Sequence, residues 1–342
     1  MKAVCIHQHG GPEVLKYEDI PDPVCGSEDV LVQLKATSIN HLDIWVRQGI
    51  PGWKVPLPII PGSDGAGVVV GKGELIKDLA VGDKVLIIPN ISCGNCEKCV
   101  NGDDNLCPDY GIVGETCNGC DAEMISLPRR NVIPIPKGLN YEEAAAIPLV
   151  FMTAWHMLVT KALVKPEQFV LVLAAGSGVG SAAIQIAKLH GARVIATAGS
   201  EEKLAKAKEL GAEFTINHYK EKISEKVKEF TEKRGVDVVV EHVGRATWEE
   251  SLKSLANGGK IVTCGATTGA HVSVDLNYLF HKHQQIIGST MASRGELFEI
   301  LNMFRQKKLK AVIDKEFLLK EVAEAHRYIE KGSQFGKVIL TI

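Results

Sequence analysis

The run 92-SCGNCEKCVNGDDNLC-107 places Cys93, Cys96, Cys99 and Cys107 within fifteen residues. Four thiolates suit a tetrahedral Zn²⁺ with no position left for water or substrate, a closed structural site. Gly94, Asn95 and Gly102 let the chain wrap tightly round an ion. The alternative is four reduced thiols in a polar loop, but free cysteine is usually buried. The chain has nine cysteines, an odd number with four crowded together, so a disulfide framework is a poor reading. Cys117 and Cys120 form another CxxC. Two ligands are not a site, and three readings stay open: a turn round Gly119, a redox pair, or a share in a second metal site. Cys5, Cys25 and Cys264 read as isolated small residues.

A second chemistry is written in 175-AGSGVGSAAIQIAKLHGA-192, which follows the apolar run Phe169 to Ala174. A strand, a tight glycine turn and a helix direct backbone N–H groups at a pyrophosphate. Gly176, Gly178 and Gly180 read GxGxG rather than GxGxxG, with Ala175 where the first glycine would fall. About 20 residues on, an acid would receive the ribose hydroxyls of NAD. Ala196, Thr197 and Ala198 stand there instead, followed by Gly199, Ser200 and Lys203. Those residues suit a 2′-phosphate, so NADP(H) is expected over NAD(H). The alternative is that Ser200 caps the next helix and Lys203 is solvated. Glu201 and Glu202 count against a phosphate.

The elements that must position these groups fall into two halves. Lys2 to His7, Asp29 to Ala36, Gly65 to Val70 and Lys84 to Ile88 read as short strands among Gly and Pro turns. From Lys165 onward, strand-like and helical runs alternate: FVLVLAA, the helix after Gly180, RVIATA, Glu201 to Leu210, VDVVVE, Thr247 to Ala256, KIVTCG. That alternation predicts an α/β fold with a doubly wound parallel sheet. Gly295 to Arg305 and Lys320 to Lys331 read as helices, and 336-GKVILTI-342 as a final strand. The first domain boundary falls in the helical stretch near Tyr141 to Val159.

Composition agrees. A chain of 342 residues predicts about two domains. Net charge is −2, so no broad nucleic-acid or membrane-surface footprint is expected. Phe169 to Ala187 carries no charge, yet its glycines and serines argue against a spanning helix. MKAVCIHQHGG has no apolar signal core, which makes the cytoplasm the expected compartment.

Together, 10-GGPEVL-15, 39-INHLDIWVRQG-49, 61-PGSDGAGVV-69, 81-VGDKV-85, the cysteine lobe, 144-AAAIPLVFMTAW-155, the glycine turn and 335-FGKVIL-340 resemble the medium-chain dehydrogenase/reductase superfamily. The resemblance covers essentially the whole chain. It implies a split, β-rich GroES-like catalytic domain over 1–150 and 290–342, around a Rossmann domain over 151–289. It implies a homodimer or homotetramer joined through the cofactor domains, and an active site in the cleft between domains. Cofactor contacts are implied for Gly176, Ser177, Gly178, Val179, Gly180, Ser200, Lys203, His218, Gly244, Cys264, Gly265, Ala266, Ser289 and Lys337. His218 and Lys337 each have the alternative of an ordinary surface cation.

The departure is at the catalytic metal. Zinc alcohol dehydrogenases of the superfamily carry Cys where this chain has Asn40, His where it has Ser63 and Glu where it has Asp64. Their third ligand falls near Leu149. A catalytic zinc needs three protein ligands and one open position. The chain therefore looks like a hybrid: a structural zinc lobe, one Zn²⁺ per chain, with the metal-free centre of a quinone oxidoreductase. The chemistry implied is hydride transfer to a quinone or α,β-unsaturated carbonyl, with hydrogen-bond donors stabilising the oxygen. Asn40 is the first candidate donor; a helix N-cap for 41-HLDIWVRQ-48 is the alternative. Asp43 is expected to orient the loop. Thr153 matches a position beside the nicotinamide, or is a helix hydroxyl bonded to its own turn. Trp45 and Trp53 wall an apolar pocket or fill the core. The competing readings are a zinc alcohol dehydrogenase with rearranged ligands and a cofactor-binding protein with little turnover.

Overall fold

The computed structural model describes residues 1–50 and 52–342. The chain divides into two compact units, Met1–Leu149 with Ser293–Ile342, and Val150–Ala292.

The first unit begins with β1 (Lys2–Ile6) and β2 (Leu15–Asp19), an antiparallel pair. Then come β3 (Asp29–Ile39), α1 (His41–Gln48), β4 (Asp64–Lys72), β5 (Lys84–Ile87) and β6 (Asn90–Ile91). The one-turn α2 (Glu97–Val100) lies in the cysteine lobe, before β7 (Gly111–Ile112), β8 (Met124–Pro128) and β9 (Val132–Pro134). Helices α3 (Tyr141–Ala145) and α4 (Pro148–Trp155) lead to the second unit.

That unit alternates strictly: β10 (Phe169–Val172), α5 (Gly178–Leu189), β11 (Arg193–Ala198), α6 (Glu201–Leu210), β12 (Phe214–Asn217), α7 (Ile223–Phe230), β13 (Val236–Glu241), α8 (Trp248–Ser254), β14 (Leu255–Thr263), α9 (Leu276–His281) and β15 (Gln285–Gly288). All its strand pairs are parallel, in the order β12-β11-β10-β13-β14-β15. Val170, Leu171, Val172, Val239 and Val240 are fully buried, as strands covered on both faces require. The order reverses between β10 and β13, and ligands bind at such switch points.

The chain then returns through α10 (Arg294–Arg305), β16 (Ile313–Leu318), α11 (Val322–Glu330) and β17 (Lys337–Thr341). The large sheet of the first unit runs β16-β17-β3-β4-β5-β9, with β8 also on β3. β17 pairs antiparallel with the end of β3, Val338 opposite Ile39 and Thr341 opposite Ala36. That pairing carries β3 to Ile39, beyond the Ala36 expected from sequence. Likewise the helix expected over Thr247 to Ala256 stops at Ser254, because Leu255 already pairs with Val236. Sheet pairing sets where the element ends at both places, and at Leu255 it overrides a helical preference.

Candidate active site and metal lobe

The four lobe cysteines converge. Their sulfurs lie within 4.8 Å of one another, with Cys93–Cys99 at 3.9 Å, Cys96–Cys107 at 3.8 Å and Cys93–Cys107 at 3.5 Å. A tetrahedral ion with bonds of about 2.3 Å to sulfur holds its ligands about 3.8 Å apart. The donor set therefore fits a structural zinc without rearrangement. Backbone N–H groups of Cys93 and Cys96 donate to Cys107 and Cys93 Sγ at 3.4 Å, which orients the thiolates. Arg130 ties the loop by donating to the Cys93 carbonyl at 2.7 Å.

A different centre forms where β3, β4 and β17 meet. The register sets Ser38 opposite Asp64, and Val338 opposite Ile39, so Lys337 falls beside Asn40. Lys337 is 3% exposed. Its ammonium donates to the Ile39 carbonyl at 3.0 Å, to Asp64 Oδ2 at 3.2 Å and to Asn40 Oδ1. Asn40 Nδ2 donates to Asp64 Oδ2 at 2.9 Å and to the Ser38 carbonyl at 3.4 Å. Asp64 also accepts from Ser38 Oγ at 3.1 Å and from the Leu149 N–H at 2.9 Å. Asn40 stands at the N-cap of α1 with its amide bonded to the lysine and to Asp64; its N–H donates to Asp43 Oδ2 at 2.6 Å, and its carbonyl accepts the Asp43 N–H at 3.1 Å.

Asp43 Oδ1 accepts from the Gly62 N–H at 3.3 Å, so this carboxyl clamps one loop onto the start of α1. Burial, with Asp121 nearby, pushes Asp43 up to about 8. Burial likewise lifts Asp121 to about 7, although Thr37 Oγ1 donates to it at 3.0 Å. Lys337 is pushed down by burial and held up by Asp64. Ser63 Oγ is buried, and no partner for it stands among the described residues.

Several expectations change here. Lys337, grouped with the cofactor by resemblance and with a surface cation as its alternative, is buried and bonded to Asn40 and Asp64. Trp53 is 52% exposed and fills no core. Trp45 is half-buried, edge-on to His41 at 5.3 Å between ring centres. Thr153, 5% exposed in the second unit, donates from Oγ1 to Met291 Sδ at 3.7 Å. Cys117 lies in a turn in which the Gly114 N–H donates to its carbonyl at 3.0 Å, and both it and Cys120 are free thiols raised by burial. Among the described residues, none of His41, Asp64, Cys117, Cys120 and His156 joins a cluster of three metal-capable groups from which a catalytic zinc site could be rebuilt.

In the second unit the expected cofactor residues gather at the carboxyl ends of the strands. Ser177 caps α5, accepting the Gly180 N–H at 2.8 Å. The N–H groups of Gly178 and Val179 head the helix without intrahelical partners. Gly180 has to be glycine: a Cβ there would sit 2.4 Å from the Ala174 carbonyl oxygen. Gly176 lies in the turn before this helix. Ser200 caps α6, accepting the Lys203 N–H at 3.3 Å, as its alternative reading held. Glu201 is turned toward Asn217 and Lys220, accepting from both at 2.9 and 3.0 Å. Lys203 lies close enough to His218 to lower its basicity after burial has done so. Beyond β13, Gly244 takes φ +89°, and its N–H donates at 3.0 Å to the buried Glu241. Cys264, Gly265 and Ala266 follow β14. Burial raises the Cys264 thiol to about 12. Ser289 follows β15 with a buried hydroxyl for which the described residues offer no partner. That orphan hydroxyl, the helix-capped turn and the switch point fit a dinucleotide. A groove of about 1110 Å³ lined by Gly235, Trp248, Leu255 and Tyr278 opens at the opposite, amino ends of β13 and β14.

Sequence reading missed Ser63 as a lone hydroxyl, Asp121, Glu241, and Tyr219 beside His218. Their only local signal is polarity next to a strand end, which many solvated residues share.

Comparison with known proteins agrees with this architecture. The Alcohol dehydrogenase GroES-like domain family matches residues 26–137, and the Zinc-binding dehydrogenase family matches residues 178–306. Quinone oxidoreductase of Homo sapiens is 31% identical over 350 residues, covering 100% of this chain and 98% of that protein. Acryloyl-coenzyme A reductase of Sulfurisphaera tokodaii is 31% identical over 341 residues, covering 99% of each chain. A crystal structure described as an NAD-dependent alcohol dehydrogenase superposes with a TM-score of 0.97 at 49% identity, covering 100% of both chains. With the GroES-like unit, the parallel six-stranded unit and relatives matched from end to end, the chain belongs to the medium-chain dehydrogenase/reductase superfamily of NAD(P)-dependent oxidoreductases.

Proposed function

We propose that this oxidoreductase reduces quinones or α,β-unsaturated carbonyls with NAD(P)H, using a structural but no catalytic zinc. One observation carries the reading: a buried ammonium, Lys337, is seated among the residues that replace the metal ligands. Asn40 has its amide bonded to Lys337 and Asp64. Leu149 offers an N–H, not a lone pair. These donors do not fit a catalytic metal, which needs three protein ligands. The names of the human and Sulfurisphaera relatives support the acceptor class.

When held by this chain, a dihydronicotinamide cofactor would supply the hydride for an electron-poor carbon. This chain's residues then hold the developing negative oxygen. Asn40 has one hydrogen on the Ser38 carbonyl at 3.4 Å, the longest bond of the cluster and the one it redirects to substrate. Lys337 polarises that amide through Oδ1. The partnerless Ser63 hydroxyl is a second donor. Asp43 orients the Asn40 loop, and Thr153 would line the place of the nicotinamide. Gly176, Ser177, Gly178, Val179 and Gly180 would hold the pyrophosphate, and Gly244, Cys264, Gly265, Ala266 and Ser289 would hold the ribose and nicotinamide. Glu201 is bonded to Asn217 and Lys220, and Ser200, Lys203 and His218 are the residues that would meet a 2′-phosphate, which favours NADP(H).

A second reading, NAD-dependent alcohol oxidation, is favoured by the name of the structure at 49% identity. Turnover separates the two. NADPH oxidation should require a quinone or enone, with simple alcohols near background and one lobe-held zinc per chain, lost in Cys96→Ser, by native mass spectrometry. Asn40→Ala should cost about 10²–10³ in rate, the usual loss of one good oxyanion donor. NADPH should bind more tightly than NADH, with the gap narrowed in Lys203→Ala. Robust alcohol oxidation that disappears with a second zinc, together with a preference for NADH, would establish the second reading instead.

A homodimer or homotetramer is part of the proposal. β15 is a sheet edge, and Leu276, Tyr278, Phe280 and Ile286 on and before it are exposed. A second copy pairing there would cover both. No described helix is long and apolar enough to cross a membrane. The substrate is a small molecule, and the cytoplasm is the proposed compartment.

A further inference from the structure

Cys5, read from sequence as an isolated small residue, is not isolated. β1 and β2 pair with Ala3 opposite Glu18 and Cys5 opposite Lys16. Alternate residues of a strand share a face, and so do directly paired residues of neighbouring strands. Cys5, His7 and Glu18 therefore emerge on one side of the two-stranded sheet. Their ligand atoms all lie within 4.8 Å of one another. His7 Nε2 is 2.7 Å from Glu18 Oε1, and the Cys5 sulfur lies within 4.8 Å of both. Lys16, on the same face, is turned away, with Nζ donating to the Glu13 carbonyl at 2.9 Å.

We propose that Cys5, His7 and Glu18 form a second metal site, for a zinc-class divalent ion. One sulfur, one imidazole nitrogen and one carboxylate oxygen match the borderline softness of Zn²⁺. Tetrahedral bonds to such a set leave the donor atoms about 3.4–3.6 Å apart. A set already within 4.8 Å reaches that spacing by side-chain rotation. Cys5 is 6% exposed and forms the floor. The His7 and Glu18 side chains are 53% and 37% exposed, so the fourth position faces water. The ion replaces the proton shared by His7 and Glu18 and the thiol proton of Cys5, which passes to solvent. The site ties β1 to β2. It stands apart from the hydride chemistry, so its existence does not depend on the acceptor.

The test uses the whole chain carrying one zinc in its four-cysteine lobe, titrated with Co²⁺. The wild type should take up one further equivalent and develop a thiolate-to-cobalt charge-transfer band. Cys5→Ser should abolish the band. His7→Gln and Glu18→Gln should each weaken uptake about tenfold or more, since even outer partners of a metal site matter that much. Lobe zinc, counted by mass, should stay constant in all. No uptake beyond the lobe, or a band that survives Cys5→Ser, would overturn the site. Should Cys5→Ser fail to fold, the two exposed-residue variants decide: unchanged cobalt affinity in both is equally fatal.

Discussion

The cysteine lobe and the Lys337 cluster belong to the same unit and are built in opposite ways. Lobe ligands come from one stretch, Cys93 to Cys107, and the chain between them is short enough to close on an ion by itself. The cluster joins Ser38 and Asn40 at the end of β3, Asp64 at the start of β4 and Lys337 at the start of β17. Asn40 and Lys337 are 297 residues apart. A local centre is held by its ligand chemistry; a non-local one is held by strand register, and its charges survive burial only because each has found a partner.

The largest expected effect is on the local centre. Cys96→Ser opens a site that structural zinc closes with a large share of its folding energy. Zinc held by the lobe should fall from one per chain to none, and the thermal midpoint should drop sharply, with nicotinamide binding unchanged. A variant that keeps its zinc and its melting behaviour would break the comparison at its first term.

Lys337→Met should do the reverse, leaving the zinc in place while destabilising the unit. It strands Asp64, which is fully buried, without its ammonium. Breaking one partner of a buried pair costs about 3–5 kcal/mol. Urea unfolding measures it; a loss below about 1 kcal/mol would mean that the lysine is no more tightly held than a surface cation.

The smallest effect is on pH dependence, and it sharpens the contrast. Asp43 and Asp121 are raised to about 8 and about 7, so the folded chain keeps protons that the unfolded chain has released. Their stabilisation is complete below about pH 4 and is lost as pH rises toward 8. Between those limits each group lowers stability by up to about 1.4 kcal/mol per pH unit. Asp43→Asn should flatten the slope of stability against pH by about one group's worth, read from unfolding midpoints between pH 5 and 8. An unchanged slope would show that Asp43 is ionised in the fold.

The βα alternation and the glycine turn were legible because each is local. The periodicity of FVLV and RVIATA, and the spacing of Gly176, Gly178 and Gly180, carry their own structure within a few residues. Cap positions were less so. Ser200 is a cap as its sequence allows, whereas Asn40 occupies a cap position and turns its amide elsewhere. Nothing near Asn40 in sequence announces the ammonium that draws it away.

Side-chain type and short spacing within the sequence suffice for the four-cysteine lobe, the strand–turn–helix alternation of the second unit and the absence of the usual metal ligands at Asn40, Ser63 and Leu149. Tertiary structure alone decided what stands in the metal's place and which polar residues become neighbours. Val338 opposite Ile39 brings Lys337 to Asn40, and Ala3 opposite Glu18 brings Glu18 to Cys5 and His7. A shift of one residue in either register would turn those side chains to the other face of the sheet. Which register forms depends on cores assembled from distant strands and helices, and no window of local sequence contains that information.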